Sequence, residues 1–217
     1  MPNQAPISLR LYSRLTQYLN YLKRLSPETL PDNMSATAIA EALNINDVVV
    51  RKDLAAVVGT GKPKTGYLTA DLIHGLEEYL GYNNRSDAVL VGVGNLGKAL
   101  MSYGNFNEYG LNIVAAFDSD PILVGTELNG KKVFDIRKLS ALCKRMHVHI
   151  GIITTPAAYA QQVCNAMIEG GVRAIWNFAP VNLVIPENVV IKNEDMAASL
   201  ALLTKQLEES FEKYGIN

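Results

Sequence analysis

The chain has 217 residues, 48% hydrophobic and 19% charged, with 20 Lys and Arg against 21 Asp and Glu. That composition excludes a disordered chain, and the near-neutral charge means that any nucleic-acid partner would need a local basic patch. No apolar run reaches the roughly 18 residues of a membrane span, and the opening MPNQAPISLR lacks the charged-then-apolar pattern of an export signal, so a cytoplasmic protein with no membrane partner is expected.

The first element is a helix. Leu11, Leu15, Tyr18, Leu22 and Leu25 recur at steps of four and three, one apolar stripe that Pro27 and Pro31 should end. SATAIAEAL follows with Ser35 as N-cap, then the short turn NIN, then NDVVVRKDLAAVV with Asn46 as the second cap. Two helices joined by a short turn make a helix-turn-helix candidate. GTGKPKTGY has the glycine, proline and lysine content of a tight hairpin or wing, and a helix is expected from Thr69 through ADLIHGLEEYL. GYNNRSD reads as a linker, which sets residues 1–84 apart as a winged-helix domain.

Between Asn44 and Tyr67 the cations Arg51, Lys52, Lys62 and Lys64 face only Asp47 and Asp53. Two cations fall on the second helix and two on the wing, where a recognition helix and a wing would meet the major groove and the phosphates. The residues expected at DNA are Arg14, Ser35, Asn46, Arg51, Lys52, Lys62, Lys64 and Tyr67. The same charges equally suit a small helical domain with a solvated face, and composition does not choose between the two.

From Asp87 the texture changes. AVLVGV, LNIVAAFD, VHIGIITT and VRAIWNF are short apolar runs separated by helical segments such as AAYAQQVCNAMIEGG. Continuous apolar strands with helical crossovers imply a parallel sheet covered on both faces, so a Rossmann-type α/β domain is expected over 85–194. A last helix, over 195–217, carries Met196, Leu200, Leu203, Leu207, Phe211 and Tyr214 on one stripe. Cys143 and Cys164 have no metal-site spacing and read as buried free thiols.

VLVGVGNLGKAL contains Gly92, Gly94 and Gly97 in the pattern G-x-G-x-x-G, between a strand and a helix. The first glycine permits the tight turn, the second a close approach of pyrophosphate, the third close packing of helix on strand; Val93, Asn95 and Leu96 complete the turn. Asp118 follows at the end of the next strand, where a carboxylate accepts from adenosine ribose hydroxyls and repels a 2′-phosphate. NAD(H) is therefore expected rather than NADP(H). A dehydrogenase would also need a substrate domain and a proton shuttle beside the nicotinamide. His74, His147 and His149 are all wrongly placed for it, and the loops after the later strands, TTPA and NFAP, supply no proton donor.

Taken in order, VVVRKDL, a Gly/Lys wing ending in GY, VGVGNLGKAL, FD, TTPA, NFAP and VIPE closely resemble the Rex family of bacterial redox-sensing repressors over nearly the whole chain. The resemblance implies a homodimer in which each subunit joins a winged-helix domain to an NAD(H)-binding Rossmann domain, with a C-terminal helix exchanged between subunits. It implies that NADH acts as an allosteric ligand, closing the dimer and releasing a palindromic double-stranded DNA operator. By position, Gly92 to Gly97 would hold pyrophosphate and Asp118 the ribose. Thr155, Pro156 and Ala157 would line the cleft, and Asn177, Phe178, Ala179 and Pro180 would lie near the nicotinamide. Tyr103 and Asp195 match family switch residues; their own spacing fits equally a core position and a helix N-cap. Three departures would suit a divergent paralogue: Ala55 to Val58 replace the family's Ser-Tyr-Phe-Gly, Lys64 replaces a wing glycine, and Asn20 replaces an arginine that partners the family aspartate. Two competing readings are a small NAD-dependent oxidoreductase and a CoA- or nucleotide-binding subunit of a larger enzyme.

Overall fold

The computed structural model describes residues 8–26, 28–83 and 86–215; Pro27 and the first seven residues lie outside these. Contacts divide the chain into two compact units, Met1–Asn84 and Arg85–Asn217.

The first unit is a small helical domain with a wing. Helix α1 (Leu9–Arg24) buries Leu15, Tyr18 and Leu22 of the expected stripe, with Leu19 beside them, while Leu11 and Leu25 at its ends are partly buried. Helix α2 (Ala36–Leu43) starts where the Ser35 hydroxyl accepts from the Ala38 N–H at 3.0 Å, and ends at Asn44 in the left-handed conformation. Helix α3 (Asp47–Val58) begins with the Asn46 side chain accepting from the Val48 N–H at 2.9 Å. Two short strands, β1 (Asn33–Met34) and β2 (Tyr67–Leu68), pair antiparallel and carry the wing between α3 and α4 (Thr69–Leu80). Gly66 crosses the Met34 carbonyl with φ +79°, a position where a Cβ would collide with that oxygen.

The second unit is a seven-stranded sheet with helices on both faces. Its strands are β3 (Ser86–Val91), β4 (Leu111–Asp118), β5 (Glu127–Leu128), β6 (Lys131–Asp135), β7 (Ile150–Ile153), β8 (Ala174–Asn177) and β9 (Val190–Asn193). They lie in the order β5-β6-β4-β3-β7-β8-β9, all parallel except the β5–β6 pair. The four expected strands are β3, β4, β7 and β8. Alternation along them feeds two cores: Val89, Val91, Ala115 and Phe117 point into one, Ala88, Leu90, Ile113 and Ala116 into the other. Strands β5, β6 and β9 were not anticipated, because KKVFD and VIKN are short, lysine-bearing segments without the apolar run that marks a buried strand.

Helices α5 (Asn95–Ser102), α6 (Leu139–Met146) and α7 (Ala157–Glu169) cover the sheet, and α8 (Met196–Tyr214) closes the described chain. Cys143 on α6 and Cys164 on α7 are both fully buried in one core. Burial pushes the Cys143 thiol up to about 11 and raises that of Cys164. An aromatic disulfide reagent is expected to label neither thiol in the native protein and both after urea denaturation. Labelling without denaturant would overturn this packing.

Candidate functional site

In the sheet unit, the strand order reverses at β3, which pairs with β4 on one side and β7 on the other. Open α/β sheets bind ligands at the carboxyl ends of strands at such a point. The expected residues converge on that edge. Gly92 to Gly97 follow β3, Asp118 ends β4, Thr155 to Ala157 follow β7, and Asn177 ends β8.

The turn is pinned from both neighbouring strands. The Gly92 N–H donates to the Phe117 carbonyl at 2.9 Å, and the Thr154 N–H to the Val91 carbonyl at 2.9 Å. The Thr154 hydroxyl lies 3.0 Å from the Val91 carbonyl and 2.6 Å from that of Gly92. Thr154 is therefore the clamp of the turn, a role that its strand-end position in the sequence did not announce. Gly92 has φ +99°, and a Cβ there would strike the Thr154 backbone; a Cβ on Gly97 would strike the Gly92 carbonyl. Gly94, by contrast, faces open space. Gly92 thus makes the tight turn and Gly97 the close packing that the motif assigns them, and Gly94 leaves the space in front of the turn open.

The Asp118 carboxylate is held in place by the backbone. One oxygen accepts from the Val93 N–H at 2.6 Å and the other from the Asp120 N–H at 2.9 Å. Each oxygen keeps a lone pair for a further donor. Helix α5 begins at Gly94 with no side-chain cap and no acid in its first turn, so its free N–H groups and its positive dipole end face the opening. Beside it, the buried Thr155 hydroxyl has no hydrogen-bond partner among the described residues. An open glycine, an uncapped helix start, a fixed carboxylate and an orphaned hydroxyl on one sheet edge fit a dinucleotide.

The remaining candidates differ in kind. Asn177 is fully buried, and its amide is spent internally: Oδ1 accepts from the Ala179 N–H at 3.0 Å, and Nδ2 reaches Ala179, Val181 and Asn193 at 3.2, 2.9 and 2.9 Å. It shapes the Asn177–Pro180 loop from within. Tyr103 ends α5, half exposed, with its ring against Phe106 at 4.8 Å. The Asp195 carboxylate caps α8 by accepting from the Ala198 N–H at 2.8 Å. Within one chain Tyr103 and Asp195 are not bonded to each other.

In the helical unit, α3 exposes Arg51 and Lys52, and the wing exposes Lys62 and Lys64. The wing closes through reciprocal Lys62–Gly66 backbone bonds of 2.7 and 2.8 Å, with Lys64 at φ +66°. Arg51 lies 2.8 Å from Asp47 and reaches Thr37 at 3.2 Å, which aims its guanidinium along the helix face. A cleft of about 410 Å³ opens between helix and wing, lined by Ser35, Thr37, Arg51, Lys62, Lys64 and Tyr67. Three cations around the start of a helix make an anion-binding surface. The Tyr67 hydroxyl is bound to the Gly59 carbonyl at 3.1 Å, bracing the wing.

Arg14 is a correction. It was expected at DNA, but its guanidinium forks onto Asp53 at 2.6 and 2.8 Å, where Tyr18 also donates at 2.9 Å. Asp53 is nearly buried, so its charge needs these partners, and Arg14 serves to lock α1 to α3. Burial, and then the bond to Asp53, pushes the Tyr18 hydroxyl up to about 12, and Asp53 raises the Arg14 guanidinium. The available signal was an acid in mid-helix whose helix-face neighbours three and four residues away, Val49, Val50, Ala56 and Val57, are apolar. Asp53→Ala strands the two donors and should cost about 2 kcal/mol, discounted because Arg14 is partly exposed. Urea melts of the first unit would show it, and an unchanged midpoint would remove the lock from the account.

Comparisons with known proteins agree with this geometry. Residues 6–55 match the family model "Putative DNA-binding protein N-terminus", and residues 83–181 match "CoA binding domain". The redox-sensing transcriptional repressor Rex of Treponema denticola is 40% identical over 190 residues, 88% of this chain and 90% of that protein. The Rex repressor of Clostridium botulinum is 34% identical over 204 residues, covering 94% and 97%. Among solved structures, RSP in complex with beta-NAD+ and operator DNA superposes with a TM-score of 0.88 at 29% identity, covering 97% of both chains. RSP in complex with beta-NADH gives 0.82 at 28% identity, over 97% and 99%.

Proposed function

The chain belongs to the Rex family of redox-sensing transcriptional repressors, and from this premise we propose that it represses transcription by holding an operator and letting it go when NADH binds. It is a regulator and not an enzyme: NAD(H) is its allosteric ligand. The observation that carries the reading is the pairing, in one chain, of a cationic helix–wing cleft with a glycine turn and a fixed carboxylate suited to a dinucleotide.

Gly92 to Gly97 would take the pyrophosphate on the α5 N–H groups, and Asp118 the adenosine ribose. Thr155, Pro156 and Ala157 would line the cleft, with the Thr155 hydroxyl finding its missing partner on the ligand. The loop Asn177–Pro180, with Tyr103 opposite, would sit at the nicotinamide, where oxidised and reduced rings differ in charge and planarity. The match to a CoA-binding family model spans residues 83–181, which include the glycine turn. The Asp118 carboxylate supports NAD(H) over NADP(H), because a 2′-phosphate would meet its charge.

At DNA, Arg51 and Lys52 would enter the groove, while Lys62 and Lys64 would meet phosphates and Ser35, Asn46 and Tyr67 would hold the surface that presents them. A shift from mostly bound to mostly released requires NADH to favour the released state by several kcal/mol, up to about 5.5 for full reversal. We place the active species as a homodimer reading a palindrome, because a two-fold axis brings two recognition helices onto two half-sites. Helix α8 supports this. Its stripe Met196, Leu200, Leu203, Leu207, Phe211 and Tyr214 is exposed along its length, which suits exchange with a second subunit. A cytoplasmic location follows from the DNA partner, and no helix among the described residues is long and apolar enough to cross a membrane.

In a salt-controlled gel shift, NADH should release operator DNA at a lower concentration than NAD⁺, and Arg51→Ala or Lys52→Ala should abolish specific binding. DNA affinity indifferent to both nucleotides would end the sensor reading. In sedimentation equilibrium the chain should be dimeric, and Leu203→Glu with Leu207→Glu should give monomers; a monomeric wild type would exclude the homodimer.

A further inference from the structure

The residue just before the α8 cap is tied to the strand that carries the nicotinamide-side loop. The Trp176 indole N–H, at the end of β8, donates to Glu194 Oε1 at 2.9 Å. The next residue along makes the same crossing: the Glu194 N–H donates to the Asn177 carbonyl at 2.8 Å, and Asn177 Nδ2 reaches Asn193 at 2.9 Å. These bonds extend the parallel register of β8 with β9, in which Trp176 faces Lys192 and Asn177 faces Asn193. One residue later Asp195 caps α8.

Trp176 also sits in the middle of a row of rings. Its ring lies 4.8 Å from that of Phe178 and 5.8 Å from that of Phe106, and Phe106 lies 4.8 Å from Tyr103. The row runs from the end of α5, the helix that starts at the glycine turn, to the Asn177–Pro180 loop. Aromatic contacts of this kind are directional, so a ring that turns in the row moves its neighbours. Two of the four rings carry a polar group, the Tyr103 hydroxyl and the Trp176 indole N–H, and among the described residues it is the indole that bonds the tail, at Glu194. Lys192 lies 4.0 Å from the same carboxylate oxygen, too far and too exposed to hold it in place.

We propose that Trp176 and Glu194 are positioning residues of the redox response: their hydrogen bond carries ring movement at the nicotinamide end to the head of α8. The proposal rests on the reading that NADH releases the operator. It assigns the link to this subunit's own β8–β9 pair, with no contribution from position 20, where Asn20 stands. A ligand shifts an equilibrium only through contacts that differ between the two states, and a bond to a carboxylate is strong enough to be such a contact.

The test separates binding from coupling in the full-length protein. For wild type, Trp176→Phe, Glu194→Ala, Glu194→Gln and the double variant Trp176→Phe/Glu194→Ala, two quantities are measured: the NADH dissociation constant by calorimetry and the NADH concentration that releases half of a labelled operator. Trp176→Phe keeps a ring in the row and removes only the indole arm. It should bind NADH and free operator within about twofold of wild type, while the NADH needed for release rises about tenfold, equivalent to about 1.4 kcal/mol of lost coupling. Glu194→Ala, at a partly exposed position, should match it. The double variant should be no worse than either single one, and Glu194→Gln, which keeps the acceptor, should restore wild-type release. Wild-type release in both Trp176→Phe and Glu194→Ala, or additive losses in the double variant, would overturn the proposal. A wild-type complex that ignores NADH would instead overturn the sensor reading, and this link with it.

Discussion

The constraint on which the rest of the nucleotide unit depends is the path of the backbone between Val91 and Asn95. It must leave the central strand, turn at once and start a helix, all within van der Waals reach of both neighbouring strands. Two carbonyls and one N–H at this bend would be left partnerless by the turn, and the hydroxyl of Thr154, the N–H of Thr154 and the carbonyl of Phe117 satisfy them. Asp118 takes up the Val93 N–H. These bonds use groups at the ends of β4 and β7, so the same interactions that stabilise the turn also set the distance between glycine loop and acid. A ligand bound at this edge would meet a carboxylate and a helix start already in place, and binding would not have to order them.

The two units place charge differently, and this bears on what each can do. In the nucleotide unit the titratable group at the ligand edge, Asp118, stands where adenosine ribose would be recognised, while TTPA and NFAP contain no side chain that titrates near neutral pH. A ring bound against them would be sensed through shape and charge. In the helical unit the cations of α3 and the wing stay exposed, whereas the one deeply placed acid, Asp53, is consumed by Arg14 and Tyr18. That triad orients the helix without weakening the positive face, because its charges cancel beneath the surface.

Much of this was legible in the sequence because it depends on local rules. The caps Ser35 and Asn46, the stripe on α1, the glycine spacing and the acid at the end of β4 are each fixed by neighbours within a few residues, and chain order alone locates them. What was not legible depends on partners far apart. Arg14 lies 39 residues from Asp53, and only the folded packing of α1 on α3 shows that this basic residue is paired within the domain. Strand β9 has no apolar run, since it lies at the sheet edge and is half solvated; its partner β8 defines it. The same holds for Trp176 and Glu194, which are unremarkable singly and meaningful only through the β8–β9 register.

The position of Asn20 gives this last pair its weight. The family resemblance supplies a route from the ligand to the DNA-binding unit through an arginine that this chain lacks, so the response must draw on other differential contacts. Allosteric couplings of this class amount to about 1–3 kcal/mol, and a hydrogen bond to a carboxylate contributes about 1.5–3. One such bond is therefore of the right size to carry a large share of the coupling, provided that it is made in one state and strained in the other. Trp176 is placed where such a difference would be felt: its ring belongs to the row that reaches Tyr103 and Phe178, and its N–H bonds Glu194, one residue before the α8 cap. Because the indole is rigid, a rotation of its ring within the row also moves the N–H that Glu194 accepts from.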